Sequence, residues 1–359
     1  MRKLRNIALL LVAFCATLVI SLCLLYNYYI GSVDSKNEKT ILVEIKEGNS
    51  SSDIAHILKE KELIRNEIVF KIYLKLNNIN DLKAGYFELN KTMDVKEIVK
   101  ELGKNSALNP NAVVVLFKEG LNIRGIAKTI AENTNNTEES VYEILEDEEY
   151  IDSLIEKYWF LTDEIKNPSI YYPLEGYLFP NTYTLEDKNV SVKDIFKIML
   201  DEMDMRLSKY KDDIENSNYS VHELLTLASL SELEGVKLED RKNIVGVFYN
   251  RIKKNMSLGS DVTTYYAFKV DMSERDLTSK EINTYNAYNT RVPNMNGKIP
   301  IGPITNPSKE AIESAIYPNS HDYLYFVADK DRNVYFTKTI AEHDKKVSEL
   351  KKAGLWIEW

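Results

Sequence analysis

The chain has 359 residues, of which 44% are hydrophobic and 28% are charged, and its formal net charge is −9. This hydrophobic content excludes an intrinsically disordered protein, and the length suffices for one membrane segment and two or three soluble units. The negative charge, without a long basic run after residue 5, excludes the electrostatic surface that nucleic-acid binding requires.

The N-terminal segment is basic and then apolar. Arg2, Lys3 and Arg5 precede a nearly uninterrupted apolar run from Ile7 to Tyr26, which matches the roughly 20 residues that span a hydrocarbon core. We interpret this run as a transmembrane helix. A cleaved signal peptide is the alternative, but its apolar region is shorter, about 7–15 residues. Basic residues before the helix predict a cytoplasmic N-terminus, so everything after about residue 31 is expected outside the cell, on a single-pass protein of the cell membrane.

A polar linker at 32–40 leads into a strand-and-helix pattern. Alternating apolar residues from Ile41 to Ile45 predict a strand, Glu47-Gly48 a turn, and Ser52 the cap of a following helix. The pattern returns in "VVVLFKEGLNIRGIAKTI", in which Lys118-Glu119-Gly120 matches the first turn. These matches predict two related strand–helix–strand–helix units, the second enlarged by a helical insert around 137–158.

Two features of this region are compatible with glycan binding. The first strand–turn–helix resembles the LysM fold, a module that binds N-acetylated glycans, although any small α+β unit gives the same pattern. The stretch "KYWFLTDEIKNPSIYYPLEGYLFPNTYTL" is rich in aromatic residues, which can stack on sugar rings but more often pack in a core.

Two carboxylates lie at the end of the apolar stretch "SVHELLTLASLSELEG". Ser220 and Glu223 form a capping-box pattern, and Gly235 is suited to end the helix. Glu232 then lies in the last turn, where the helix dipole and apolar neighbours are expected to raise its pKa, as a proton donor requires. Glu234 lies about 200° further round the helix, so the two carboxyl groups cannot act on one bond together. Alternatively, both are solvated at a helix end.

Several segments together resemble the endolytic murein transglycosylases of the MltG (YceG-like) family. They are "ASLSELEG", "LEDRKNIVGVFYNRIKKNMSLGSDVTTYYAF", "NAYNTRVPNMNGKIPIGPITNPSKEAIESAIYPNSHDYLYFVAD" and "PLEGYLFPNTY". The resemblance implies an α+β protein in four parts: a cytoplasmic N-terminus and transmembrane helix at 1–31, the linker at 32–40, a LysM-like α+β module at 41–107 and a larger α+β YceG-like catalytic region at 108–359. The active-site part is expected at about 220–320.

The resemblance also implies site residues. The stretch "ASLSELEG" resembles the family's Ala-Ser-X-X-Glu-X-Glu segment, and the resemblance implies that its first glutamate, here Glu232, is the catalytic residue. The substrate-binding or supporting residues implied are Glu234, Arg241, Asn250, Arg251, Asp261, Thr263, Tyr288, Asn289, Thr290 and Glu175. Two positions depart from the family pattern, since Gly259 stands where Gln is common and Arg291 where Tyr usually closes the "YNTY" loop; both are expected to alter substrate contacts.

The implied activity is lytic cleavage of the β-1,4 bond between MurNAc and GlcNAc in peptidoglycan. Glu232 would protonate the glycosidic oxygen and then, as a carboxylate, accept the proton of the MurNAc C6 hydroxyl, which closes on C1 as a 1,6-anhydro end. The implied role is to trim or terminate nascent glycan strands beside membrane-bound peptidoglycan synthases. The histidines show no metal-ligand spacing, and neither metal nor cofactor is expected.

Two other functions remain open on the sequence. One is a catalytically inactive glycan-binding scaffold of the wall-synthesis machinery. The other is a muramidase-type hydrolase in which Glu175 or Asp261 supplies a second carboxylate. The cleavage products distinguish all three: anhydro ends, reducing ends or none.

Overall fold

The computed structural model describes residues 2–104 and 109–356, and leaves out the side chains of residues 2–5, 7 and 8. The chain divides into two compact units, Met1–Ala112 and Val113–Trp359. The module boundary predicted between residues 107 and 108 lies outside the described residues and stays a prediction.

The first unit opens with a long apolar helix, α1 (Arg2–Ile30). Its stretch Leu9–Ile30 has a mean hydropathy of 2.7 over 22 residues, so it is long and apolar enough to cross a membrane, as some signal sequences also are. The predicted run from Ile7 to Tyr26 lies within this helix. The side chains of the basic residues that predict its orientation lie outside the described part of the chain.

The rest of the first unit is a strand pair covered by helices. Its elements are β1 (Ile41–Ile45), α2 (Ser51–Glu60), α3 (Glu67–Leu76), β2 (Gly85–Leu89) and α4 (Val95–Leu102). The strands pair antiparallel with Ile41 opposite Leu89, and the apolar faces of the helices bury one core with them. Helix α2 is capped by Ser50 and not, as the sequence suggested, by Ser52. Asp53, three residues after Ser50, closes a reciprocal capping box with it.

The second unit begins with the same order of elements, enlarged. It contains β3 (Val113–Leu116), α5 (Ile123–Asn133), α6 (Glu138–Glu146), α7 (Glu148–Lys157), a 3-10 helix (Asp163–Lys166), β4 (Thr182–Leu185) and α8 (Val192–Leu207). Strands β3 and β4 pair antiparallel with Val113 opposite Leu185. Helices α6 and α7 form the predicted insert, and α3 of the first unit was not predicted.

The remaining elements of the second unit are mostly helical. They are a 3-10 helix (Ser208–Tyr210), α9 (Lys211–Glu215), α10 (Val221–Glu234), α11 (Leu238–Lys253), α12 (Asp261–Ala267), α13 (Ser279–Asn283), a 3-10 helix (Pro293–Met295), α14 (Lys309–Ile316), β5 (Tyr325–Ala328), β6 (Val334–Thr337) and α15 (Ile340–Lys352). Strands β5 and β6 form an antiparallel hairpin.

Helix α10 is the central helix of the second unit. Ser220 and Glu223 form the predicted capping box at its start, and the residues from Val221 to Ser231 are buried except Glu223. A helix that is apolar all round is expected in the middle of a core, and α10 packs against α11 and α14. Its last turn carries both carboxylates that the sequence singled out.

Candidate active site

The two glutamates at the end of α10 contact different partners. Their spacing of two residues places them about 200° apart on the helix. Glu232 contacts α11 and the start of α14, whereas Glu234 contacts the residue that precedes α12. The structure therefore provides two separate carboxylate environments.

Glu232 lies in a buried ion pair. Arg241 donates a hydrogen bond from Nη2 to Oε1 of Glu232 at 2.6 Å, and their side chains are 8% and 6% exposed. The backbone N–H and Oγ of Ser308 donate to Oε2 at 2.8 Å and 2.5 Å. Arg241 also donates from Nε to the carbonyl oxygen of Gly235 at 2.9 Å. Both oxygens of the Glu232 carboxylate are thus occupied by protein donors.

These partners change the interpretation of Glu232. Ser308 is the N-cap of α14, so the carboxylate lies at the positive end of that helix dipole and beside a guanidinium, both of which stabilise negative charge. The sequence predicted Arg241 as a supporting residue, but it did not indicate that Ser308 and the start of α14 also contact Glu232. The arrangement joins three helices through one carboxylate, and both of its oxygens are engaged by protein donors.

A glycine-containing loop approaches Glu232 from β3. A Cβ at Gly120 would lie 3.6 Å from Cγ of Glu232, so the backbone passes close to this side chain. Partial burial raises the pKa of Glu119, and the charges of Glu232 and Glu310 contribute to the rise. Sequence reasoning matched Glu119-Gly120 to the first repeat but did not place it beside the helix end.

Glu234 has the properties expected of a proton donor. It is half-buried and accepts a hydrogen bond from Oγ of Ser260 at 2.6 Å. Burial raises the pKa of the Glu234 carboxyl to about 7; the charge of Asp261 contributes to the rise, whereas Ser260, Arg251 and Arg291 oppose it. A carboxyl with this pKa is about half protonated at neutral pH, the range in which a general acid works best.

A network of hydroxyl groups fixes the position of Ser260, which donates the hydrogen bond to Glu234. The backbone N–H of Ser260 donates to Oγ1 of Thr290 at 3.0 Å, and the hydroxyls of Thr263 and Thr290 lie 2.8 Å apart. Asn289, fully buried, accepts a hydrogen bond from Oγ1 of Thr264 and donates to backbone carbonyl oxygens around the end of α13. The 288–290 turn is therefore connected to Glu234 through Ser260.

An exposed ion pair borders this site. Arg291 donates from Nη1 to Oδ1 of Asp261, and their side chains are 37% and 60% exposed. Both charges influence the pKa of Glu234. Arg291, which departs from the family pattern, thus acts on the carboxyl at the surface-facing edge of the site.

Other predicted residues position backbone segments. Arg251 donates to the carbonyl oxygens of Leu324 and Leu258, each at 2.6 Å. Asn250 donates from Nδ2 to the carbonyl oxygens of His321 and Tyr323. These contacts hold the chain entering β5 against α11.

Gly259 has a geometric reason to depart from the family's Gln. Its φ is +63°, and an added Cβ would lie 2.8 Å from Nη1 of Arg251. A side chain here would therefore meet both backbone strain and the guanidinium.

Glu175 is buried beside the aromatic residue Tyr266. It is 1% exposed and accepts hydrogen bonds from the backbone N–H of Ile123 at 3.0 Å and 3.1 Å and from Oη of Tyr266 at 3.0 Å. Burial raises the pKa of Glu175 to about 8. Tyr288, fully buried, packs edge-on against Tyr266. Their burial makes both glutamate and tyrosine parts of the core, without access to a glycan.

Asn306 connects this core to the start of α5. Its Nδ2 donates to the carbonyl oxygen of Leu121 at 3.0 Å and to Glu175 at 3.2 Å, and its Oδ1 accepts from the backbone N–H of Leu178 at 2.9 Å. Its own carbonyl oxygen accepts from the N–H of Gly120 at 3.0 Å. One amide thereby joins segments that are far apart in the chain.

Sequence reasoning missed two serines, Ser260 and Ser308. Ser308 carries a readable signal, because a serine before an apolar-periodic segment predicts an N-cap. Ser260 precedes the predicted pair Asp261 and Thr263, but nothing local indicates that its hydroxyl reaches Glu234. Across the part of the chain that the structure describes, no cluster of three or more His, Cys, Asp or Glu side chains is arranged to hold a metal.

Comparison with known proteins gives consistent matches. Residues 43–349 match the profile of the YceG-like family. A Bacillus subtilis protein named endolytic murein transglycosylase is 36% identical over 314 residues, 87% of this chain and 85% of that protein. A Streptococcus pneumoniae D39 protein of the same name is 35% identical over 344 residues, 90% of this chain and 61% of that protein. A crystal structure of a YceG-like protein from Listeria monocytogenes has a TM-score of 0.61 and 38% identity, covering 86% of this chain and 99% of that one.

Proposed function

The chain belongs to the YceG-like family, and from that premise we propose that it is an endolytic peptidoglycan lytic transglycosylase with Glu234 as its general acid and base. Its substrate is the β-1,4 bond between MurNAc and GlcNAc, and its product carries a 1,6-anhydroMurNAc end. The observation that carries the assignment is the half-buried Glu234 carboxyl, which accepts a hydrogen bond from Ser260 at 2.6 Å and whose pKa is raised by burial to about 7. The sequence favoured Glu232 for this role; its ion pair with Arg241 argues for a structural role instead.

The mechanism needs one carboxyl group. Protonated Glu234 donates its proton to the glycosidic oxygen as the bond from that oxygen to C1 of MurNAc breaks. The Glu234 carboxylate then takes the proton of the C6 hydroxyl, whose oxygen bonds to C1. Water is neither consumed nor released, and Glu234 ends the cycle protonated. Ser260 orients the carboxyl throughout.

A two-carboxylate hydrolase receives less support. Such enzymes place their carboxyl groups on opposite sides of the scissile bond. Glu175 is 1% exposed and occupied by Ile123 and Tyr266. Asp261 is exposed, but its charge is engaged by Arg291. The hydrolase and the inactive scaffold are therefore outcomes of the test below.

The test compares Glu234→Gln with the matched control Glu232→Gln on purified glycan strands. We expect the wild type to produce anhydro ends and Glu234→Gln to lose about 10²–10⁴-fold in rate, the range that general acid–base catalysis contributes. Glu232→Gln is expected to lower thermal stability, because Arg241 keeps a buried charge, while the folded fraction continues to produce anhydro ends.

The outcomes separate the assignments. Anhydro ends from Glu234→Gln, together with their loss in folded Glu232→Gln, would return the catalytic role to Glu232. Reducing ends from the wild type would indicate a hydrolase, and intact strands a scaffold. Circular dichroism of each variant at the assay temperature controls for unfolding.

The finer organisation is also a proposal. We propose that α1 is a single-pass anchor with a cytoplasmic N-terminus, which holds the second unit outside the cell, near the membrane-bound synthases whose nascent strands it cuts. We propose a LysM-like glycan-binding role for residues 41–107. It is supported by the order of elements along the chain, in which two helices follow β1 and precede its antiparallel partner β2. Protease protection of α1 in membranes, and binding of glycan strands by the full chain with Glu234→Gln, test these two proposals.

A further inference from the structure

Helix α3 of the first unit carries apolar side chains on two opposite faces, one buried and one exposed. Phe70 and Leu74 are buried in the core, at 0% and 3% exposure. Ile68, Ile72 and Leu76 face away from it and are 64%, 43% and 68% exposed. At about 100° per residue these three side chains fall within about 80° of arc, so they form one continuous apolar stripe along the outer face of α3.

The end of α1 packs against the same helix. The Arg65 guanidinium lies 4.3 Å from the ring centroid of Tyr28, and its Nη2 donates to the carbonyl oxygen of Ser32 at 2.6 Å. Ile30 packs against the core to which α3 contributes, and Tyr26 is near enough to Tyr73 to contribute to the raised pKa of that phenol, which is caused mainly by burial. Helices α1 and α3 are therefore in direct contact at the last turns of α1.

The residues in the contact between α1 and α3 indicate the level of α3 relative to the lipid bilayer. Tyrosines at the end of a spanning helix concentrate at the level of the lipid headgroups, and Tyr26, Tyr28 and Tyr29 end the apolar stretch Leu9–Ile30. A helix packed against these tyrosines lies at the same level. Lys71 and Lys75 border the apolar stripe on one side by helix geometry, an arrangement that suits anionic headgroups.

We propose that α3 lies on the outer surface of the bilayer, with Ile68, Ile72 and Leu76 inserted among the lipid headgroups. The occupant of the stripe is lipid, and the inference rests on the proposed anchoring by α1. Such a contact would add a second attachment to the spanning helix and would fix the orientation of the first unit on the membrane.

The test uses the full chain in vesicles of phosphatidylglycerol and phosphatidylcholine that carry a nitroxide on the lipid acyl chain. An environment-sensitive fluorophore is attached at Ile72→Cys in a Cys15→Ala/Cys23→Ala background. Labels on native Cys23, with Cys15→Ala, and on Lys96→Cys of α4 serve as controls. We expect the labels at 23 and 72 to lose most of their emission to the nitroxide, and the label at 96 to keep it.

Each outcome decides a separate point. Quenching at 23 without quenching at 72 overturns the membrane contact of α3 while leaving the anchor intact. A label at 72 that is blue-shifted but unquenched also overturns it and would assign the stripe to contact with a second copy of the chain. An unquenched label at 23 overturns the anchor and, with it, this inference. Ile68→Ser/Leu76→Ser, which changes only exposed positions, should reduce quenching at 72; unchanged quenching would contradict insertion of the stripe.

Discussion

The activity of the enzyme is expected to depend on pH through Glu234. Its pKa of about 7 exceeds the usual 4.5, and a difference of about 2.5 corresponds to about 3 kcal/mol against the charged form. At pH 7 about half of the Glu234 carboxyls hold a proton, compared with roughly 0.3% for an unperturbed glutamate, a roughly 150-fold gain in the reactive form. Because the acid must begin protonated, kcat/KM should be flat below about pH 6 and fall about tenfold per pH unit well above 7.

Ser260→Ala makes this prediction specific. The hydroxyl of Ser260 donates to the carboxylate at 2.6 Å and lowers its pKa. A hydrogen bond to a charged group contributes about 1.5 kcal/mol or more, so its removal should move the falling limb upward by about one pH unit. The measurement is kcat/KM for anhydro-end formation from pH 5 to 9.

The pH at which kcat/KM begins to fall distinguishes a structural effect of Ser260→Ala from an effect on the pKa of Glu234. A purely structural effect of Ser260→Ala would lower the rate at every pH without moving the limb. A limb that stays in place, moves downward, or is absent between pH 6 and 8 in the wild type would refute the assignment of Glu234 as the acid.

Three further predictions concern stability. Arg241→Ala leaves Glu232 buried without its cation and should lower the free energy of unfolding by about 3–5 kcal/mol, measured by urea denaturation; a loss below about 1 kcal/mol would contradict the buried pair. Glu175 has a folded pKa above its unfolded value, so the unfolded chain loses the proton first and stability falls as pH rises from about 4.5 to 8, by up to about 5 kcal/mol. Glu175→Gln should flatten this fall of stability with pH. Equal slopes for the wild type and the variant would show that Glu175 does not hold a proton in the folded state. Gly259→Ala should cost more than Gly354→Ala, because both have φ above +60° but only the first adds a Cβ 2.8 Å from a guanidinium nitrogen; equal changes in Tm would show that this contact relaxes freely.

Local signals in the sequence predicted much of the fold. The capping box at Ser220 and the strand that begins at Ile41 depend on neighbours within a few residues, and both are observed. The insert before β4 was predicted from the internal repeat and is also observed. Helix α3 was overlooked although Asn66 caps it and its apolar residues recur at helical spacing. That signal is also local and was available in the sequence.

Neighbouring residues in the sequence could not decide which of Glu232 and Glu234 is the better candidate for the proton donor. Both residues share one helix turn, one dipole and one set of sequence neighbours, so local arguments apply to them almost equally, and only the family resemblance favoured Glu232. What separates them is tertiary. Arg241 and Ser308 donate hydrogen bonds to both carboxylate oxygens of the first, whereas the second accepts a hydrogen bond from Ser260 and has its pKa raised to about 7 by burial.

The hydrogen bonds of Asn306 limit where the chain can be cut to make expression fragments. Residues 113–133 look in sequence like a second copy of a tethered accessory module, yet the carbonyl oxygen of Leu121 and the N–H of Gly120 are paired with Asn306. An expression fragment that starts after residue 133 would open the core to solvent at that point. The second repeat is thus an inseparable piece of the enzyme body, and gene fusions or domain exchanges should keep it with the C-terminal half.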